Sequence, residues 1–423
     1  MTLPQRVCGR RESIVQGSRV LALTAVFALT SAAHAVTIDF WVRNDDAGFT
    51  QPLVKAFNAS HTTQVKLNII PSAQFVTKFA SAVAGGAAPD VVATDLVYLP
   101  AFAAAGQLTD ITAQAKTLPY YKTLSPSHLR LATYGGKLYG VPYSAEGSIL
   151  LYNKDLFTKA GLDPNKPPTT FAEIQAYSKK ITALGGGVKG FYFAGACAGC
   201  NAFTMLPLIW ASGGDVLSSD GKAATVDTPA VRNALTLYKN LWNSGQIPQS
   251  AKADAGSDFL NAFTTGKIGM AGSGAFAIGT LKTKYPNVNF GVAPLPGDKG
   301  KSSSFAGGDT MAIPTGSQHP KEAFEFLSFC LSETVQVEQF AKNGSIPVRS
   351  DLAVNQYSKL DPRFVVPARA MASGRTPYST VYNDIFNSNT GPWLTMIQKA
   401  VFGGDVDGAV KEAQVSVTKI LAR

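Results

Sequence analysis

Between residues 37 and 112 the chain alternates short β-prone runs with amphipathic stretches of helical period, and few folds accommodate that alternation. Thr37–Arg43, Gln64–Ile70 and Pro89–Thr94 read as strands. Phe49–Ser60, Ser72–Ala84 and Leu96–Ala105 read as helices, the last two closed by Gly85-Gly86 and Gly106. Strands separated by helices of this length imply a parallel sheet with right-handed crossovers. Ligands of such sheets gather at the carboxyl ends of the strands. Here those ends carry Trp41, Arg43, Asn44 and Asp45 after the first strand, and Asp95 with Tyr98 after the third. Asp46 reads equally well as a solvated loop residue.

A second alternation follows a break. Leu138–Tyr143 and Ser148–Tyr152 are strand-like, and Asn153 opens a helix. Between them Tyr143, Ser144 and Glu146 offer a ring, a hydroxyl and a carboxylate beside Gly147. By itself this would be a surface hairpin with a solvated Glu; within this alternation it suits the floor of a cleft between two lobes. Thr170 and Glu173 form a capping box before a helix to Leu184, and Lys189–Phe193 is a strand. A helix over Ala202–Ala211 carries Phe203, with Asn201 at its entrance. Thr228 and Pro229 start a helix whose Val231, Leu235, Tyr238 and Trp242 share a core-facing side. Lys267–Ala271 leads into Gly272-Ser273-Gly274-Ala275-Phe276-Ala277. The acidic partner that a dinucleotide fingerprint needs is missing, so this reads as a tight turn presenting Ser273 and Gly274 to the cleft. Asn289–Pro294 and Met311–Pro314 are strands, the latter preceded by Gly307, Gly308 and Asp309. A helix over Glu322–Leu331 follows, and Ile346–Arg349 reads as a further crossing.

The amino terminus reads as a removable leader. Arg6, Arg10, Arg11 and Arg19 precede an apolar run, Val20–Thr30, and Ala33-His34-Ala35 is a cleavage signal. That run is shorter than the roughly 20 residues a membrane span requires. Cleavage after Ala35 and export to the periplasm are therefore expected. The net charge of +10 includes the leader's arginines, and no Lys/Arg run is dense enough to mark a nucleic-acid surface. Cys197 and Cys200 flank Ala-Gly. A structural disulfide, thiol exchange and a metal site are all readable there, and oxidising export favours the disulfide. Cys330, in an apolar helical run, reads as a buried free thiol. No G-x-S-x-G, H-E-x-x-H or Walker A sequence occurs, and His61, His128 and His319 lie in connectors or at a helix start. No catalytic residue, metal or cofactor is expected.

Ile38–Trp41, Ala88–Val92, Ala103–Gly106, Leu150–Leu156 (LLYNKDL), Lys159–Leu162, Pro207-Leu208, Gly213-Gly214, Phe263–Ile268, Phe290–Pro296 and Gly307-Gly308 occur in an order and spacing that resembles a known family. It is the bacterial extracellular solute-binding proteins of carbohydrate uptake, relatives of the maltose and glycerol-phosphate binders. The likeness runs from about residue 37 to 350 and more faintly to the end. It implies an α/β periplasmic-binding-protein fold, two lobes each with a mostly parallel sheet flanked by helices. The expected lobes are 36–144 with 292–345, and 145–291 with 346–423. It further implies a monomer that closes over a sugar and delivers it to an ABC permease. Glu146 would take the place of a sugar-contacting carboxylate, and Arg43 with Arg375 would serve a phosphate if the ligand were glycerol 3-phosphate; a sugar alcohol is a further possibility. Where the maltose binder stacks a Trp, this chain has Gly272-Ser273-Gly274, so that wall must come from elsewhere. The contrasting class is an exported enzyme on the same scaffold, a glycosidase using Glu146 and Asp45 or a thiol oxidoreductase using Cys197.

Overall fold

Alternate residues of strand β1 (Thr37–Arg43), namely Ile38, Phe40 and Val42, are fully buried, as the period of a strand requires. The structure is a computed structural model that describes residues 35–423; the expected leader lies outside the described residues. Helix α1 (Ala47–Ser60) lays Leu53, Val54 and Phe57 on the sheet, and β2 (Gln64–Ile70) pairs with β1 in parallel. Helix α2 (Ser72–Ala84) leads to β3 (Val91–Asp95), which joins the other side of β1, again in parallel. Buried Val91–Thr94 mark β3 as an interior strand covered on both faces. Helices α3 (Leu99–Ala104) and α4 (Pro126–Leu131) follow. The expected strand Leu138–Tyr143 is broken at Tyr139-Gly140, leaving the short β4 (Val141–Pro142) at the far edge of the sheet. Gly140 sits against Thr310 and the carbonyl of Met311, where a Cβ would have 2.6 and 2.8 Å. That close approach is available only to glycine.

The chain then enters a second sheet. Its central strand β5 (Glu146–Asn153) starts at Glu146, two residues earlier than expected. The Thr170 hydroxyl accepts from Glu173 N at 3.2 Å and caps helix α5 (Phe171–Thr182), while the Glu173 carboxylate turns to Thr169 rather than to Thr170. Strand β6 (Lys189–Tyr192) and helix α6 (Ala198–Ala211) follow; α6 begins at the cysteine pair, four residues before its expected start. Helix α7 (Pro229–Asn243) buries Val231, Leu235 and Tyr238, but Trp242 is only partly buried, edge-on to Phe402 at 4.7 Å. Strand β7 (Ile268–Gly274) corrects the expectation of a turn at Gly272–Gly274. Those residues continue the strand, pairing with Ser148–Leu150 of β5. The glycine at 272 serves packing, since a Cβ there would lie 2.8 Å from Thr204 on α6.

After helix α8 (Phe276–Lys284), strand β8 (Phe290–Ala293) pairs wholly with β5, although the expected lobe boundary at 292 runs through it. The short β9 (Ala306–Gly307) also pairs with β5, and the chain re-enters the first sheet only at β10 (Asp309–Ala312). Strand order is β2-β1-β3-β10-β4 in the first sheet and β8-β5-β7-β6 in the second. Pairing is parallel within the β/α alternation (β1–β2, β1–β3, β6–β7) and antiparallel where the chain crosses between sheets. Helix α9 (Pro320–Cys330) covers the first sheet, with Cys330 buried and free. Ile346 bridges to Ala145 and Arg349 to Leu124, and Ile346 and Val348 are buried in the core of the first sheet. Helices α10 (Val365–Ser373), α11 (Pro392–Val401) and α12 (Val406–Leu421) complete the chain.

Two main cores match the two sheets, one around Phe40, Phe57, Phe326 and Phe340, the other around Phe191, Tyr238, Trp393 and Ile397. Tyr143 belongs to the first. It is fully buried, with edge contacts to Phe40 and Phe340, and its hydroxyl pairs with Thr50 Oγ1 at 2.7 Å. The expected ligand-facing ring is therefore a core side chain. Tyr143→Ala should cost about 3–5 kcal/mol in urea unfolding. Tyr143→Phe, losing one hydroxyl bond, should cost about 1 kcal/mol. Equal costs would show that the ring does not anchor this core.

Candidate functional site

Three strand ends meet at one edge of the first sheet. β1 exits at Arg43, β3 exits at Asp95, and β10 enters at Asp309, directly opposite Asp95. The Arg43 fork donates to both oxygens of buried Asp309, Nε at 3.2 Å and Nη2 closer still. The same guanidinium stands 3.8 Å from Asp46 and 3.7 Å from Asp45. Burial alone would lower the Arg43 pKa, but the fields of Asp309, Asp46 and Asp95 outweigh it and hold the group charged. One cation thus serves four carboxylates. Asp46 is the residue least expected here. It is 6% exposed, its Oδ2 has no hydrogen-bond partner, and burial followed by the field of Asp309 pushes its pKa well up. Asp95 accepts from Val97 N at 3.2 Å, and burial raises it to about 6 against the pull of Arg43.

Glu146 starts β5, where it pairs with Gly307, two residues before Asp309. It is partly buried, and its Oε2 accepts from Phe276 N at 3.3 Å. Burial raises it to about 8, only partly offset by the N–H groups of Phe276 and Ala275. Gly274 explains how the Phe276 ring comes so near. A Cβ at 274 would lie 2.7 Å from that ring and 2.9 Å from Glu146 Oε2. Phe276 is 40% exposed, an unusual state for a large apolar ring. The ring stands three residues on from Ser273, beside the Glu146 carboxylate. Phe203 stands nearby, its ring 5.5 Å from Phe305 and against Gly307.

The crossing itself is held tightly. Asp309 N donates to the Ser144 carbonyl and hydroxyl, each at 3.1 Å, and Ser144 N donates to the Asp309 carbonyl at 3.2 Å. Gly308, at φ 114°, passes so close that a Cβ would sit 2.1 Å from Ser144 O. His128, expected in a polar connector, is instead fully buried in α4. Its Nε2 donates to Ser144 O at 2.9 Å and its Nδ1 accepts from the Ser125 hydroxyl at 2.8 Å. Burial lowers its pKa to about 4, so it remains a neutral strut beneath the crossing.

The expected site residues divide into groups. Arg43, Asp45, Asp95, Tyr98, Gly307, Gly308 and Asp309 gather at the crossing, with Glu146, Gly274 and Phe203 on the second sheet's side. Asn44 accepts from Ser72 N at 2.7 Å and from its hydroxyl at 3.0 Å, which ties the loop after β1 to α2. Trp41 is partly buried beneath the Lys78 ammonium, 5.4 Å from its centroid. Asn201 is buried and donates to the carbonyls of Ala194 and Cys197, both at 2.8 Å, a structural role. Ser273 is fully buried with its hydroxyl unpaired. Arg375 is exposed, its backbone bonded to Ser304 and Ala306. Cys197 and Cys200 are disulfide-bonded. Besides Phe276, two residues from the far end of the chain escaped sequence reasoning. Asn387 donates to the Tyr98 hydroxyl at 3.0 Å, and buried Tyr382 lies in the field of Asp95 and Tyr98. Neither carried a local signal, because each reaches the site from nearly 300 positions away, about the 289 that separate Asn387 from Tyr98. Among the described residues no group of His, Cys, Asp and Glu could hold a metal ion, and no helix is long and apolar enough to cross a membrane.

The profile of the bacterial extracellular solute-binding protein family matches residues 41–337. The chain belongs to this family. An ABC transporter solute-binding protein of Thermotoga lettingae, solved with α-D-tagatose bound, superposes with a TM-score of 0.81 at 25% identity, covering 92% of this chain and 100% of the other. The cyclic α-maltosyl-1,6-maltose binding protein of Arthrobacter globiformis superposes with a TM-score of 0.77 at 27% identity, covering 92% and 99%. In sequence, the diacetylchitobiose binding protein DasA of Streptomyces coelicolor is 24% identical over 396 residues, 92% of this chain and 90% of the other.

Within this solute-binding protein the raised pKa of Glu146 carries a stability signature. Its folded value, about 8, exceeds the ordinary 4.5, so the folded state binds the proton more tightly than the unfolded chain. The contribution is complete below about pH 4.5 and is lost as pH rises through about 8. Thermal melts of Glu146→Gln should therefore match wild type at pH 4 and exceed it at pH 8. Parallel curves across that range would show that Glu146 is solvated and unperturbed.

Proposed function

We propose that this chain is the exported receptor of an ABC importer, capturing a neutral sugar between its lobes and delivering it to a permease. The observation that carries the reading is the make-up of the cleft. Carboxylates stand on both sheets, Asp95 at the end of β3 and Glu146 at the start of β5, and an exposed ring, Phe276, lies beside Glu146, while the cluster's guanidinium is already forked to Asp309. Sugar hydroxyls donate to carboxylates, and aromatic rings cover the apolar C–H faces of the pyranose. The three relatives described above bind sugars of quite different size, which supports a carbohydrate without choosing among them. A phosphate ester finds less here. It would bring negative charge to a site whose own carboxylates are already driven toward protonation by burial.

The proposed hinge consists of the passages 143–146, 307–309 and 346–349. The lobes would then be built on the first sheet with residues 309–348 and on the second sheet with the carboxyl-terminal helices. The receptor acts as a monomer, uses no cofactor and performs no catalysis. Its leader, ending at Ala35, is removed on export to the periplasm. Contacts made from both lobes at once favour the closed state, and closure is what a permease reads.

Thermal-shift titration of the mature protein tests this. D-tagatose, maltose and N,N′-diacetylchitobiose stand for neutral sugars, and sn-glycerol 3-phosphate for the anionic class. A bound sugar stabilises the fold by about 2.7 kcal/mol at 100 times its dissociation constant. At least one neutral sugar should shift the melt and be recovered unchanged, and at pH 9, above the raised pKa of Glu146, Glu146→Gln should weaken it about ten- to hundredfold through loss of a charged hydrogen bond. A shift from the phosphate alone would sink the neutral-sugar reading. Conversion of a sugar would make the protein an enzyme.

A further inference from the structure

The Cys197–Cys200 bridge plays no part in the function proposed above, yet it leads by direct contacts to the cleft. Cys197 is the N-cap of α6, and Cys200 N donates to its sulfur at 3.2 Å. On one side the bridge abuts Gly256, at φ 114°, where a Cβ would lie 3.1 and 3.3 Å from the two sulfurs. The Gly256 loop is pinned in turn by Asp254, which accepts from Gly256 N at 2.9 Å and from the Tyr192 hydroxyl at 2.5 Å. On the other side, Gly199 lies inside the bridged turn. A Cβ there would be 3.0 Å from Asn387 Oδ1, so the bare backbone of the turn forms the seat of that amide. Asn387 Nδ2 donates to the Tyr98 hydroxyl at 3.0 Å. Tyr98 belongs to the turn that leaves β3 beside Asp95, whose charge acts on its hydroxyl. Leu96 and Val97 of that turn are buried in the core of the second sheet, so the turn is the seam between the two sheets.

We propose that the disulfide is a positioning element of the ligand cleft. It fixes the backbone of the Cys197–Cys200 turn, the turn seats the Asn387 amide, and Asn387 holds the Tyr98 ring at the cleft edge. A four-residue turn closed by a covalent bond cannot fray, whereas the first turn of an ordinary helix leaves its N–H groups without intrahelical partners and opens easily. The same seat built from backbone alone would allow the amide several positions, and the Tyr98 hydroxyl would lose its donor for part of the time. The site role of Tyr98 rests on the receptor reading; the coupling from bridge to ring does not, and the two fail separately.

The test follows the ring itself. The mature protein is labelled with 3-fluorotyrosine, and the Tyr98 fluorine resonance is identified by its disappearance in Tyr98→Phe. Tris(carboxyethyl)phosphine then cleaves the bridge. The phosphine becomes the phosphine oxide with an oxygen from water, and the two hydrogens of that water complete the two thiols. Alkylation of Cys197 and Cys200, read by mass spectrometry, confirms cleavage. The expected result is a shift of the Tyr98 resonance toward its position in Asn387→Ala, with no further shift when Asn387→Ala is itself reduced. Gly199→Ala, which crowds the amide while keeping the bridge, should move the resonance the same way and decides the matter if reduction unfolds the protein. An unmoved Tyr98 resonance in the folded, reduced protein would overturn the proposal. So would an equal shift on reduction in the Asn387→Ala background, because the coupling would then bypass the amide.

Discussion

The ion pair between Arg43 and Asp309 is the contact on which the site's geometry turns. Arg43 ends the first strand and Asp309 begins the strand by which the chain returns to that sheet after building the second. Their fork joins residues 266 positions apart at the point where two passages of the chain cross. Buried pairs of this kind contribute little net stability, since desolvation offsets most of the attraction. Their value here is geometric. With Asp309 fixed, its backbone N–H and carbonyl are placed for Ser144, and the Ser144 carbonyl is placed for His128. Removing the guanidinium would leave three carboxylates buried at the crossing without a cation.

Burial and the same pair set the electrostatics of the site. Burial raises Asp95 to about 6, with Arg43 pulling it down and Asp309 adding to the rise. Glu146, remote from any cation, is raised to about 8 by burial. Such carboxyl groups hydrogen-bond to hydroxyls whether protonated or ionised, which suits a ligand made of donors and acceptors in equal measure. Phe276 completes the arrangement as an apolar surface left open beside a carboxylate.

Much of this was legible in residue order. The strands Thr37–Arg43 and Gln64–Ile70 and the helix Ser72–Ala84 stand where periodicity puts them, and Thr228 caps its helix as its residue type dictates. Local signals failed where a long-range neighbour decided the outcome. Gly272-Ser273-Gly274 has turn composition, but a paired strand on one side and Thr204 on the other make it strand. Tyr143 lies three residues before Glu146 and next to Ser144, and the crossing turns its ring into the first core. His128 has polar neighbours in sequence yet is fully buried, both its ring nitrogens satisfied by Ser125 and Ser144. Asp46 stayed open between site and solvent because nothing near it in the chain foretold Asp309.

The sequence by itself determined the β/α alternation, the exit of charged residues from strand ends and the resemblance to solute-binding proteins. These depend on side-chain periodicity and on residue types that act over a few positions. Only the tertiary structure decided which of those charges share a site, which carboxylates are pushed up in pKa, and that Phe276, Tyr382 and Asn387 join them. Burial and electrostatic field depend on distances in space, and the chain brings these groups together only where it crosses between its two sheets.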